Sequence, residues 1–258
     1  MRPALHAEWT KIRTVAGPLW LLLGMIAATV ALSAGAASVV RCDSAGCGGD
    51  PAKLSLTGVQ LGQTLVAVLA VLVVAGEYGT GMIRTTLTAM PRRAAALAAK
   101  AVILTGIVGA AGTVAVLGSL LAGRLILPGN GFTAAHGHHA LSLSDGPTLR
   151  AAAGSILYLA LIGLLSLGMA AIVRDSATSI GGVLGLLYLL PVLSQAIGDP
   201  HWERLLRQIG PMSAGLTIQA TTDLHDQPLG PWAGLGVTAA WATAALVTGG
   251  ALLRTRDA

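Results

Sequence analysis

Residues Ala151–Val173 read AAAGSILYLALIGLLSLGMAAIV, 23 residues without one Asp, Glu, Lys, Arg or His. A helix needs roughly 20 residues to cross a hydrocarbon layer of about 30 Å, so this run is long and apolar enough to span. Five further stretches have the same character: Leu19–Val40, Leu54–Ala75, Ala101–Gly123, Ala177–Ile197 and Trp232–Leu253. The 258-residue chain is 54% hydrophobic and 10% charged, with a mean hydropathy of +0.74. Soluble domains carry about 25% charged residues, which excludes an ordinary water-soluble enzyme. The expectation is an all-α polytopic membrane protein, a single transmembrane domain over residues 1–258 with six transmembrane helices.

Composition supports close helix packing. Thirty-four glycines and few aromatics suit spans that approach through small residues. Trp20, Tyr78 and Trp232 fall at expected span ends, where rings favour the headgroup layer; Trp241 lies mid-span. With the amino terminus inside, ten of the sixteen basic residues and four of the eleven acids fall on inner segments, a net +6 against −1 outside. Basic residues concentrate on cytoplasmic loops, so both termini are expected in the cytoplasm. The net charge of +5 is scattered loop charge, and no nucleic-acid partner is expected.

Segment 1–17 places Leu5, Trp9, Ile12 and Ala16 on one helical face, with charged residues on the others, the pattern of an interfacial amphipathic helix. A charged tail is the alternative, and Ala34-Gly35-Ala36 also resembles a signal-peptide cleavage site, although the apolar run is long for one. Cys42 and Cys47 lie in a Gly-rich outer loop, where a disulfide is permitted; free thiols and a metal site stay open. His136, His138 and His139 crowd a second outer loop, as a solvated loop or as metal ligands. In the third outer segment, 198–231, Trp202, Leu205, Leu206 and Ile209 share a face, which predicts an interfacial or re-entrant helix. Ser176 is placed to cap span five after a short turn.

The residue inventory excludes several chemistries. No GxxxxGK[ST] motif is present, so this chain carries no P-loop ATPase, and HExxH is absent. All six histidines lie outside the expected spans, against an intramembrane serine hydrolase. Uncharged spans also disfavour ion-coupled transport, which usually needs an ionisable group in the bundle. No catalytic, cofactor-binding or metal residues are assigned, and the chain is not expected to be an enzyme.

Two stripes recur at spacings of three and four: Gln60, Gln63, Thr64, Ala67 and Val71 in span two, and Thr178, Gly181, Gly185, Tyr188, Val192 and Gln195 in span five. Polar groups at membrane depth are costly against lipid, so both stripes should face protein or water. Helix packing, a second chain and a translocation path (Gln60, Gln63, Thr64, Gly185, Tyr188, Gln195) are the readings.

The inner loop GEYGTGMIRTTLTAMPRRAAALAAK, with a short helix expected over Thr80–Ala89, carries a likeness. An amphipathic EWTKIRT element before span one, six spans, the order Glu77, Gly81, Pro91, Lys100, and GPMSAG at Gly210–Gly215 together resemble the permeases of ABC type-2 exporters. The resemblance implies a half-transporter: a second permease chain as homodimer or related chain, and two copies of a cytoplasmic P-loop ATPase holding ATP and Mg. It also implies export of a small amphiphilic, drug-like, peptide or lipid substrate across a bacterial plasma membrane. Within that likeness, 77–93 is the ATPase coupling loop, with apolar Met82, Ile83 and Leu87 ringed by Arg84, Arg92 and Arg93. A non-transporting sensor or scaffold and an ion-coupled carrier are the alternatives. The topology predicts that Ser142→Cys is labelled from outside by a membrane-impermeant thiol reagent while Thr86→Cys is not; outside labelling of Thr86→Cys would overturn it.

Overall fold

The computed structural model describes residues 10, 16–42, 48–79, 93–134, 141–196 and 198–255. Those residues form helices joined by short turns, with no strand among them. Six helices are long and apolar enough to cross a membrane, as in a multi-pass membrane protein. They are span one (Ala16–Val39), span two (Val59–Gly79), span three (Arg93–Ile126), span four (Gly146–Val173), span five (Ser176–Ala196) and span six (Pro231–Thr255). The connections after spans one, three and five meet at one end of the bundle, called the outer end after the charge-based expectation.

Span four is the axis of the packing. It lies against spans two, three and six, and span five closes on it and on span two. Tyr158, Leu159, Ile162, Leu165 and Leu167 of span four are fully buried in the common core. The crossing with span six is tightest at Gly168, where a Cβ would come within 2.5 Å of the Ala245 carbonyl carbon. Lipid offers apolar side chains no hydrophobic reason to associate, so close backbone contact through such residues supplies the packing energy. Trp20 and Trp232 at span ends are exposed.

Several boundaries differ from the sequence reading. Span two begins at Val59 rather than Leu54, because a separate short helix, Pro51–Ser55, precedes it. Asp50 caps that helix by accepting from the backbone N–H groups of Ala52 and Lys53, both at 3.1 Å, and Pro51 supplies the fixed φ of a first helical position. The turn at Leu56–Gly58 then passes against span one: Gly58 N–H donates to Ser33 Oγ at 3.0 Å, and a Cβ at Gly58 would overlap the Thr29 carbonyl.

Span three runs 34 residues, about 50 Å at 1.5 Å per residue, well beyond Ala101–Gly123. Its extra inner turns are RAAALAAK, built from strong helix formers. Lys100, expected in a loop, is therefore helical and buried, its Nζ donating to the Val73 carbonyl of span two at 3.4 Å.

The turn between spans four and five carries Arg174 in the left-handed region (φ 64°), and the cap of span five is Asp175, not Ser176. The Asp175 carboxylate accepts from the Thr178 hydroxyl at 2.6 Å and the Thr178 N–H at 2.8 Å. Those two bonds, the hydroxyl first, hold its pKa below the ordinary carboxylate value. A side chain one position earlier reaches the N3 amide, which is the usual capping geometry.

Candidate functional site

Span five is interrupted. Its helix over Ser176–Leu184 passes into a π turn over Gly185–Leu189 before resuming at Leu190–Ala196. Pro191 explains the break: it has no N–H to offer the Leu187 carbonyl, and its ring crowds that carbonyl out of the regular ladder. The widened turn contains Tyr188.

Tyr188 reaches span two and meets three groups there. Its hydroxyl donates to the Gln60 carbonyl at 2.5 Å, accepts from Gln63 Nε2 at 3.1 Å and lies 2.6 Å from Thr64 Oγ1. A phenol has one proton and two lone pairs, so with that proton on Gln60 the Thr64 hydroxyl donates, and every valence of the Tyr188 oxygen is used. Gln63, itself fully buried, turns its other amide atom to span four, where Tyr158 O–H donates to Gln63 Oε1. One glutamine thus joins three spans through a closed set of uncharged hydrogen bonds.

Above this cluster lies a cavity of about 330 Å³ open to the outer end. Gln60 from span two, Ser194 and Gln195 from span five, Lys53 from the short helix, and Arg207 and Met212 from the outer segment are among its walls. The outer segment folds as the helix Pro200–Ile209, a second short helix Pro211–Gly215 and a 3-10 turn Leu216–Gln219. None of Pro200–Ile209 is fully buried, with Leu205 and Leu206 half-covered and Trp202 and Ile209 exposed.

The stretch from Pro211 to Gln219 instead sinks between spans four and six. Gly215 sits against the Tyr158 ring, leaving no room for a Cβ. Thr238 Oγ1 donates to the Pro211 carbonyl at 2.9 Å and Gln219 Nε2 to Ser155 Oγ at 3.1 Å. Trp241, the one mid-span tryptophan, is half-buried and donates its indole N–H to the Ile209 carbonyl at 2.9 Å, a partner for its polar handle at membrane depth.

Asp50 fixes the cavity's other wall. Besides capping its own helix, its carboxylate accepts from Thr221 N–H, from Thr221 Oγ1 at 2.7 Å and from Thr222 N–H at 3.2 Å. Arg150 Nη2 adds a bond to the Ala220 carbonyl at 2.5 Å. Cys42, packed with Ala37, Leu127 and Phe132, is buried and disulfide-bonded. Its N–H donates to the Asn130 carbonyl at 2.9 Å, and Asn130 Nδ2 donates to the Ala37 carbonyl at 2.8 Å.

Of the residues singled out from sequence, the structure joins Gln60, Gln63, Thr64 and Tyr188 directly and sets Gln195 with Gln60 on the cavity. Gly185 opens the π turn. Ala67 and Val71 are buried in the core, whereas Thr178, Gly181, Val192 and Gln195 on span five are exposed on the single chain. Gly81, Met82, Ile83, Arg84, Leu87, Pro91, Arg92, Cys47, His136, His138 and His139 lie outside the described residues, as does the helix expected over Thr80–Ala89. For Glu77 only the backbone, in the last turn of span two, is described.

Tyr158, Asp50 and Lys53 were not found from sequence. Asp50 had a signal, since Asp-Pro is a helix start; Tyr158, set in an unbroken apolar run, had none. No protein-family model matches the chain, and no curated protein matches it in sequence.

Asp50→Ala removes five acceptor contacts at once and is expected to cost about 1–3 kcal/mol. Hydrogen exchange at the Thr221 and Thr222 amides should then accelerate at least about ten-fold relative to the parent chain. Unchanged exchange there would show that Asp50 does not hold the outer segment.

Proposed function

We propose that the chain is the membrane-spanning permease subunit of an ATP-driven exporter of the ABC type-2 kind, working with a second permease chain and a separate cytoplasmic ATPase. The observation that carries this reading is the bond from Lys100 to the Val73 carbonyl. It ties the inner ends of spans two and three, the two helices that bracket residues 77–93. A force applied to that loop would move both as one lever instead of being lost between them. Span two in turn is bonded to spans four and five through Gln63 and Tyr188, so the same displacement reaches the outer cavity.

The uncharged character of the cluster supports an external energy source over ion coupling. Tyr158, Gln63, Thr64 and Tyr188 exchange only neutral hydrogen bonds, a coupling-ion site usually needs an ionisable group, and the buried charged residue described in the spans, Lys100, is a cation already bonded to the Val73 carbonyl. With no P-loop in the sequence, ATP must be hydrolysed elsewhere. Under this reading Met82, Ile83 and Leu87 dock on the ATPase, and Arg84, Arg92 and Arg93 orient it. Gln60, Gln195 and the exposed face of span five border the route, shared with the second chain. The substrate is a small amphiphile, drug-like molecule, peptide or lipid.

The double substitution Ile83→Asp with Arg84→Glu is expected to abolish co-purification of the ATPase subunit and transport, while the permease still inserts and dimerises. A complex that survives the double substitution intact would refute the coupling role.

A further inference from the structure

We propose that the outer cavity binds the phosphate-bearing headgroup of an anionic amphiphile, with its acyl chain laid along the exposed face of span five. At about 330 Å³ the space falls at the lower end of small-molecule sites, the size of a headgroup. Its polar lining is one-sided: it includes the cations Lys53 and Arg207, the amides of Gln60 and Gln195, and hydroxyls such as that of Ser194, with no carboxylate among the described lining residues. Asp50, the acid nearest Lys53 in sequence, has its carboxylate occupied by five hydrogen bonds from Ala52, Lys53, Thr221 and Thr222 and lies outside that lining. Lys53 is exposed, and no ion pair with it occurs among the described residues.

Among the described residues Arg207 has one ion-pair partner, Glu203 at 3.2 Å, with both side chains substantially exposed (46% and 38%). Pairs of that kind hold weakly in water, so the guanidinium is available to a phosphate, which it suits by geometry. Glu203 also borders a neighbouring depression with His201, Arg204 and Asp226, where the charges of both signs are mixed. Arg207 borders both spaces, and only the first combines two cations with no acid among its described lining residues.

The apolar part follows from what continues below the mouth. Gln195, Val192 and Gly181 are exposed along one face of span five with half-buried Gly185 between them, and the positions where Cβ atoms would stand at Gly185 and Gly181 meet open space. From Gln195 to Gly181 the helix descends about 21 Å, the length of an extended acyl chain. Cationic head site above and shallow apolar furrow below together match an anionic lipid better than a free anion. This site does not depend on the chain being an exporter.

The test uses the full chain in neutral detergent without any ATPase subunit, with lipid binding read by native mass spectrometry. Dioleoyl phosphatidylglycerol should bind, and dioleoyl phosphatidylcholine should bind about ten-fold more weakly or worse. Lys53→Gln and Arg207→Gln should each weaken phosphatidylglycerol binding about ten-fold, as for loss of one charge-assisted hydrogen bond, and Lys53→Arg should retain it. Arg124→Gln, at an exposed cation on the outer end of span three beside a different cavity, should leave it unchanged. Binding that ignores both Lys53→Gln and Arg207→Gln, or that falls equally with Arg124→Gln, would overturn the proposal. Displacement by millimolar inorganic phosphate would overturn the amphiphile assignment in favour of a free-anion site.

Discussion

In a hydrocarbon layer every polar group must find its partner inside the protein, and the arrangement of spans two, four and five follows from how Gln63 meets that demand. Its carboxamide has a donor end and an acceptor end, and each goes to a tyrosine on a different helix. Removing either tyrosine leaves a buried amide atom unpaired, which costs more than the lost bond itself. The π turn in span five belongs to the same constraint. Pro191 makes a regular helix impossible there, and the widened turn contains the Tyr188 whose hydroxyl bonds Gln60, Gln63 and Thr64.

The outer end is organised by the same logic with charged groups. Asp50 is shared between the cap of its own helix and the backbone at Thr221 and Thr222, and Arg150 takes the neighbouring Ala220 carbonyl. These bonds, with Trp241 and Thr238 on the inner edge, fold the outer segment down onto span four until Gly215 meets the Tyr158 ring. The cavity is what is left between that segment and the ends of spans two and five. Of its two lining cations, Lys53 has its acidic neighbour Asp50 engaged elsewhere, and Arg207 meets only the exposed Glu203 among the described residues.

Much of this was legible in sequence because charge is absent from the middles of the spans and gathers at their ends and in the turns. Six charge-free runs located six helices. Their ends were misjudged where a polar residue continues a helix, as Lys100 does by bonding the Val73 carbonyl, or where a proline starts a new one, as at Asp50-Pro51. The three-and-four spacing picked out Gln60, Gln63 and Thr64 on span two and Tyr188 on span five as two stripes, since a helix face is a local property, and their meeting is visible only in the fold. Tyr158 escaped because its importance lies in a partner 95 residues away in the chain, and an apolar run gives no sign of it. Trp241, anomalous as a mid-span ring, is explained only once the Ile209 carbonyl is brought beside it.

The most direct test of the central claim is a double-mutant cycle between Tyr158 and Gln63, with unfolding free energies of Tyr158→Phe, Gln63→Leu and the pair measured in the same detergent. The account predicts that the double variant loses less than the two singles together, with a coupling of about 0.5–2 kcal/mol, as for hydrogen bonds between membrane helices. Strict additivity of the two losses would contradict it.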